Sequence, residues 1–316
     1  MLVRPAQRRY STWFMDSRRW DAFVPRAGDI VIATAPKCGT TWMQQIVSGL
    51  VFNDPNPRSL DEVSPWFEVR RVPLDQLVAQ IEAQTHRRFI KSHLPLDGLP
   101  IFDEVKYIHV ARDGRDVMLS MHNHFRNLNE AIFQRVDAAA MADPEIGRPF
   151  PRLPDDPRDY FLSWISTGVV EGHTEGTPEP SFFNLELSYW SERHRPNVLL
   201  VHYNDLSRDL EGEMRRVAAF LGIEPSEVMW PKLVAAANFD AMRAAGQQLM
   251  PRVNQSFDRG AERFFNKGVN GRWRDVLTRE DQELYAAKVR AKFTPGLAAW
   301  VERGRLETGD PRTAPD

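Results

Sequence analysis

Four short runs of apolar, largely β-branched residues punctuate the chain: DIVIATA (29–35), RFIKSH (88–93), VKYIHVAR (105–112) and NVLLVHY (197–203). Most are nearly continuous rather than alternating, as in strands covered on both faces. Helix-like periodicity fills the intervals at 40–53, 74–85, 113–127, 182–194, 208–221 and 279–291. Strands alternating with helices predict an α/β fold, a central and mostly parallel sheet flanked by helices. Ligands of such sheets collect beyond the carboxyl ends of the strands. Lys37, His93 and Arg112 fall at or just past such ends. The pattern therefore predicts that three chemically able side chains share one rim.

Two stretches interrupt this rhythm. Residues 126–160 are proline-rich and poorly periodic, which predicts a lid-like insert more than a core layer. Residues 246–278 space their glycines like a surface loop. With no internal repeat and no long linker, residues 1–316 are expected to form a single domain. The tail after Gly304 is expected to fray.

Composition narrows the class. Hydrophobic residues at 42% suffice for a sizeable core. A balance of 41 Lys and Arg against 43 Asp and Glu, net −2, argues against a general binder of nucleic acid or membrane surfaces. A single cysteine excludes an internal disulfide framework and fits a reducing compartment. The basic N-terminus lacks the apolar core of a secretory signal, and no apolar run approaches the roughly 20 residues of a membrane span. A cytoplasmic protein is expected, with no nucleic-acid partner and no integral membrane contact.

The stretch APKCGTTW (35–42) carries the first chemistry. A strand that feeds a tight turn and then a helix aims unpaired N–H groups and a positive dipole end at one spot. Gly39 permits close backbone approach, Thr40 and Thr41 add hydroxyls, and Lys37 adds a full charge. The same residues also read as a plain helix start with a threonine cap and a solvated lysine. Lysine ahead of glycine is not the Gly-Lys-Ser/Thr order of a triphosphate loop.

APKCGTTW resembles the 5′-phosphosulfate loop of the cytosolic-type sulfotransferases, which use 3′-phosphoadenosine 5′-phosphosulfate (PAPS) and release the bisphosphate PAP; their usual form is Y-P-K-S-G-T-T-W. Three further stretches resemble the same family in the same order. FIKSHLPL (89–96) is similar to its K-T-H-L-P segment, YIHVARDGRDVMLSMHNHF (107–125) to its 3′-phosphate strand and helix, and FFNKGVNGRWRDVLT (264–278) to its R-K-G-x-x-G-D-W-K-x-x-F-T segment. The correspondence runs from residue 29 to about 290. It implies a P-loop-like nucleotide-binding fold, sulfuryl transfer to a hydroxyl, and 246–278 as a flexible segment closing over the nucleotide.

Sulfuryl transfer asks a protein to position two partners and to neutralise developing charge. PAPS needs two separate anion sites, and the 35–42 loop and the Arg112–Ser120 junction are placed to supply them. The resemblance makes His93 the general base, a task suited to imidazole. It gives Lys37, assisted by Lys91, the charge on the bridging oxygen, and Ser120 a contact with both the 3′ phosphate and Lys37. Donor contacts fall to Lys37, Cys38, Gly39, Thr40, Thr41, Trp42, Arg112, Ser120, Tyr203, Phe239, Asn266, Lys267 and Gly268, with Arg272 nearby. No metal is expected, because no carboxylate at a strand end is evident to hold magnesium.

Departures from the family pattern are Cys38 for serine, Ala237 for threonine, Asn266 for arginine and Arg272 for aspartate. A partial match at Arg274, Thr278 and Glu283 leaves a homodimer open. His122 and His124 resemble a metal pair, but residues two apart on a helix diverge by about 200°. Asp113 is expected to cap a helix, and His109 to be core. Trp66, Phe67, Phe125, Tyr160, Phe161 and Trp164 suggest a hydrophobic small-molecule or lipid acceptor, such as a phenol, alcohol or glycolipid, although core packing explains most of them equally well. Two other readings stand beside this one: a P-loop kinase or NTPase using ATP and magnesium, and a nucleotide-binding module without catalysis.

Overall fold

The computed structural model describes residues 1–167, 181–265 and 268–316. Its strands are β1 (Leu2–Arg4), β2 (Ile30–Ala33), β3 (Phe89–Ser92), β4 (Ile101–Phe102), β5 (Lys106–Ala111) and β6 (Val198–His202). Four of them form one parallel sheet in the order β3-β2-β5-β6, and β1 pairs antiparallel with β4. The chain enters this sheet at β2, steps to β3 on one side and then crosses to β5 on the other. That reversal is a switch point, where α/β sheets bind ligands.

Both faces of the sheet are covered, which is why the apolar runs are continuous. Ile30, Ile32, Ile108, Val110, Leu199 and Val201 pack on one side with Met43, Ile46, Val47 and Leu50 of the helix Thr40–Phe52. Val31, Ala33, Ile90, Tyr107 and Leu200 face the other side, toward Leu185 and Tyr189 of the helix Phe182–Trp190. Away from the rim, Arg88 grips Asp29 with two hydrogen bonds of 2.9 and 2.5 Å, both side chains buried. That bidentate pair ties the entries of β2 and β3.

Two expectations need correction. The stretch 126–160 is not loop throughout, since Glu130–Ala142 is a helix capped by Asn129, with Ile132, Val136 and Ala140 buried at four-residue spacing. A second helix, Pro157–Thr167, begins at the end of the stretch. The tail does not fray. Arg193 donates to the carbonyls of Pro311 (2.9 Å) and Ala314 (3.2 Å), and the Trp190 indole donates to Asp316 (3.1 Å).

Candidate active site

Parallel register brings the strand ends level: Ala33 lies opposite Ser92 and His109, and Ala111 opposite His202. Each next residue therefore emerges on one rim. His93 follows β3, Arg112 follows β5, Tyr203 follows β6, and the loop 34–39 follows β2. Lys37, His93 and Arg112 share that rim.

The loop turns tightly because two residues take left-handed backbone, Lys37 at φ 74° and Gly39 at φ 109°. A Cβ on Gly39 would lie 3.1 Å from the Tyr203 ring, so glycine meets both the conformational and the steric demand. The Thr40 hydroxyl bonds the buried Thr34 hydroxyl at 2.5 Å, while Gly39 at the helix N-cap offers no side-chain cap. The first-turn N–H groups of the helix Thr40–Phe52 thus lack a capping side chain. Cys38 is fully buried, and burial pushes its thiol well above the usual range, which keeps it protonated and unreactive.

His93 is held from two sides. Its Nδ1 lies 2.9 Å from the Thr34 carbonyl oxygen, which can only accept, so the ring proton sits on Nδ1 and Nε2 is a free base. Its main-chain N–H donates to Glu68 Oε1 at 2.5 Å, and the Ser92 hydroxyl donates to the same oxygen at 3.0 Å. Glu68 Oε2 accepts from the Trp20 indole at 3.0 Å. Glu68 is fully buried and was not anticipated; its only sequence signal is a lone carboxylate in an aromatic stretch. Burial and the charges of Lys91 and Lys37 hold the His93 imidazole well below its ordinary pKa.

Lys91 and His93 project from the same face of the chain, with the Trp66 ring 5.0 Å from the ammonium and 5.1 Å from the imidazole. Burial and the like charge of Arg71 lower Lys91 to about 8. Burial, Lys91 and Arg112 lower Lys37 to about 7. The Lys37 ammonium lies 3.4 Å from His124 Nδ1 and 4.6 Å from the centre of the Phe264 ring. His124 stands one turn beyond Ser120 on the same helix face (Gly114–Arg126). His122 instead donates from Nε2 to the Pro154 carbonyl at 2.9 Å, so the two imidazoles take separate partners.

Arg112 sits over the Tyr203 ring at 4.2 Å. It donates to the Lys37 carbonyl (3.2 Å) and twice to Asn270 Oδ1 (2.8 and 2.5 Å). The Tyr203 hydroxyl donates to the Gly268 carbonyl at 3.3 Å. Asp116 accepts from the Gly271 N–H at 2.8 Å. A Cβ on Gly268 would lie 2.7 Å from the Phe239 ring, and its φ is +67°. The segment 268–271 is thereby clamped onto Arg112, Tyr203, Asp116 and Phe239. Asn270 and Asp116 went unpredicted, and Asn266 and Lys267 lie outside the described residues. Trp42 donates from its indole to the Ala237 carbonyl (2.7 Å) and meets Tyr203 edge-on at 5.2 Å. Asp113 caps its helix by accepting from the Arg115 N–H, and His109 is core, bonded to the Ala33 carbonyl and Glu186.

Of the aromatic acceptor candidates, Trp66 faces Lys91 and His93, and Phe125 lies beside His124 with ring centres 5.7 Å apart. Phe67 is buried between Trp20 and Phe23, at 4.9 and 5.7 Å. Tyr160 is buried beside His122, Phe161 is buried, and Trp164 packs on Phe182 and Phe183. Phe257 and Phe264, both from 246–278, stand against His124 instead, at 5.1 and 6.1 Å. The glycine spacing of that segment gave no sign of these contacts with His124.

Comparison with known proteins identifies the family of the chain. A family model described as "Sulfotransferase domain" matches residues 27–294. A glycolipid sulfotransferase of Mycobacterium tuberculosis is 37% identical, with 94% of each chain covered. Human sulfotransferase 1C2 is 27% identical over 86% of this chain and 85% of its own. Among solved structures, a mouse sulfotransferase complexed with PAP superposes with a TM-score of 0.66 at 20% identity, covering 90% of this chain and 92% of that one. Retinol dehydratase in complex with androsterone and PAP gives 0.65 at 22% identity, covering 88% and 86%. The last two carry the fold alone.

Proposed function

The chain belongs to the sulfotransferase domain family, and from that premise we propose that His93, Lys37 and Arg112 carry sulfuryl transfer from PAPS to a hydroxyl of a glycolipid acceptor. The observation that carries the reading is the His93–Thr34 bond, which leaves Nε2 unprotonated on the rim shared with Lys37 and Arg112. The residues fit the donor. Two positive-φ glycines allow close backbone approach, and the cations fall into two groups, Lys37 with Lys91 and Arg112 with the 268–271 segment. When bound, PAPS supplies the sulfuryl group and a leaving bisphosphate.

The protein's share is positional and electrostatic. His93 Nε2 takes the acceptor hydroxyl's proton while Thr34 keeps the ring oriented. Lys37, with Lys91 beside it, offsets negative charge on the donor's bridging oxygen. Loop N–H groups with Thr40 and Thr41 hold the 5′ end, while Arg112 and Ser120 hold the 3′ phosphate, joined there by Asn266, Lys267 and Gly268. Trp42, Tyr203 and Phe239 wall the adenine. A glycolipid acceptor is supported by the mycobacterial relative's name and by the aromatic groups at Trp66, Phe125, Phe257 and Phe264.

No helix among the described residues is long and apolar enough to cross a membrane. A cytoplasmic setting is supported by the single, buried and reduced Cys38. The match at Arg274, Thr278 and Glu283 supports a homodimer, which light scattering would test.

The test is transfer of labelled sulfate from PAPS to a glycolipid in the presence of a chelator, paired with heat-shift stabilisation by PAP and by ATP with magnesium. Transfer under chelation and preferential stabilisation by PAP are expected. Stabilisation by ATP and magnesium alone would overturn the reading.

A further inference from the structure

His124 is a hydrogen-bonding side chain in a wall otherwise made of rings. Phe125, Phe257 and Phe264 surround it at centroid distances of 5.7, 5.1 and 6.1 Å. Its Nδ1 is 3.4 Å from Lys37 Nζ; with the donor bound Lys37 is held protonated, and an ammonium can only donate. The remaining ring proton therefore sits on Nε2. That N–H makes no hydrogen bond with the protein among the described residues, and the side chain is half-buried, not sealed in. His93, Lys37 and Lys91, the titratable groups that act on it electrostatically, are all basic and favour the neutral ring. A neutral donor thus lies within electrostatic reach of His93 and Lys37, the groups beside which the attacking hydroxyl must lie.

Resting on the sulfuryl-transfer reading above, we propose that His124 Nε2–H binds a second hydroxyl of the acceptor, so that the site selects a polyhydroxylated headgroup such as a sugar over a monohydric alcohol or phenol. One hydroxyl loses its proton to His93 and attacks. A neighbouring hydroxyl of the same headgroup turns its oxygen to His124. A monohydric acceptor leaves the His124 N–H desolvated among rings without a partner, and sites built to hydrogen-bond a substrate hydroxyl reject analogues lacking it for that reason. Lys37 enters the same arrangement, because its ammonium fixes the tautomer that makes His124 a donor toward substrate. Selection for a sugar and neutralisation at the donor then depend on one Lys37–His124 contact.

The test compares octyl glucoside with 1-octanol, which share an apolar chain and differ in the headgroup. Labelled sulfate transfer from PAPS gives the ratio of kcat/KM for the two acceptors. The wild type is expected to favour the glucoside, His124→Phe to lower that ratio by about 10- to 100-fold, and His124→Asn, which keeps a donor, to recover most of it. A PAP-induced heat shift verifies that each variant is folded, and His124→Leu replaces His124→Phe if the latter fails this check. An unchanged ratio in the ring or leucine variant, a ratio in His124→Asn as low as theirs, or no preference in the wild type would each overturn the role of His124. Wild-type protein that sulfates neither acceptor nor any other hydroxyl would instead overturn the transfer reading beneath it.

Discussion

The imidazole of His93 donates its Nδ1 proton to the main-chain oxygen of Thr34 across 2.9 Å, and that single bond decides which nitrogen faces the cleft. Thr34 opens the loop 34–39, so the proposed base and the proposed anion cradle are fixed by the same backbone. His93→Ala should keep PAP binding, read by calorimetry, and lose about 10²- to 10⁴-fold in turnover, the usual worth of a general base. Turnover within a few-fold of wild type would remove His93 from the mechanism.

The acid side of the pH–rate profile should reflect the depressed imidazole. Burial and two neighbouring ammonium groups keep His93 neutral well below its ordinary pKa of 6.5. The deprotonated base therefore persists as pH falls through 6.5, and with the donor saturating, so that both lysines stay protonated, kcat/KM for the acceptor should stay level there before dropping at lower pH. A profile that halves at 6.5 would mean that the titrating group is an unperturbed histidine.

Donor affinity should weaken on the alkaline side. Free Lys37 and Lys91 lose their protons near 7 and 8, whereas a bound bisphosphate holds them protonated. Binding above these values must take up protons, and the PAP dissociation constant should rise by up to about tenfold per pH unit for each proton taken up. Calorimetry in buffers of different ionisation enthalpy counts those protons directly. Zero uptake at pH 8.5 would contradict the placement of both lysines around the anion.

Glu68→Gln probes the support beneath the base. One amide oxygen still accepts from the His93 N–H and the Ser92 hydroxyl, but the new NH₂ meets the Trp20 indole donor. A buried donor left unpaired costs about 1–3 kcal/mol. We expect a lower midpoint in denaturant and reduced kcat with PAP affinity retained. Equal losses in kcat and PAP affinity would point to general disorder of the site.

Arg112→Lys keeps the charge and removes the planar fork that engages Asn270 and the Lys37 carbonyl. PAP affinity should fall about 10- to 100-fold, in line with the loss of one or two charged hydrogen bonds. Affinity equal to wild type would take Arg112 out of the bisphosphate site.

Much of this was legible in the residues because it follows from short-range rules. Continuous apolar runs located all four parallel strands, and the strand ends predicted the rim of Lys37, His93 and Arg112. Other contributions depend on tertiary contact and leave little local trace. Glu68 matters only because folding brings it under Ser92 and His93, far along the chain from its own position. Asn270 and Asp116 are ordinary polar residues until folding sets Asn270 against Arg112 and the Gly271 N–H against Asp116. The helix Glu130–Ala142 was obscured by the prolines that follow it, although Ile132, Val136 and Ala140 keep a helical spacing. In sequence His124 resembles only half of a metal pair, and its neighbours Phe257 and Phe264 belong to a stretch whose glycines are spaced like a surface loop.

The docked C-terminus bears on how the protein is handled. Residues 311–316 supply acceptors to Arg193 and Trp190 at the end of the helix Phe182–Trp190, whose Tyr189 ring stacks on His109 inside the sheet. A purification tag fused directly after Asp316, or a shortened version ending near Gly304, would tug at or unplug that helix, so handles are better carried at the opposite terminus.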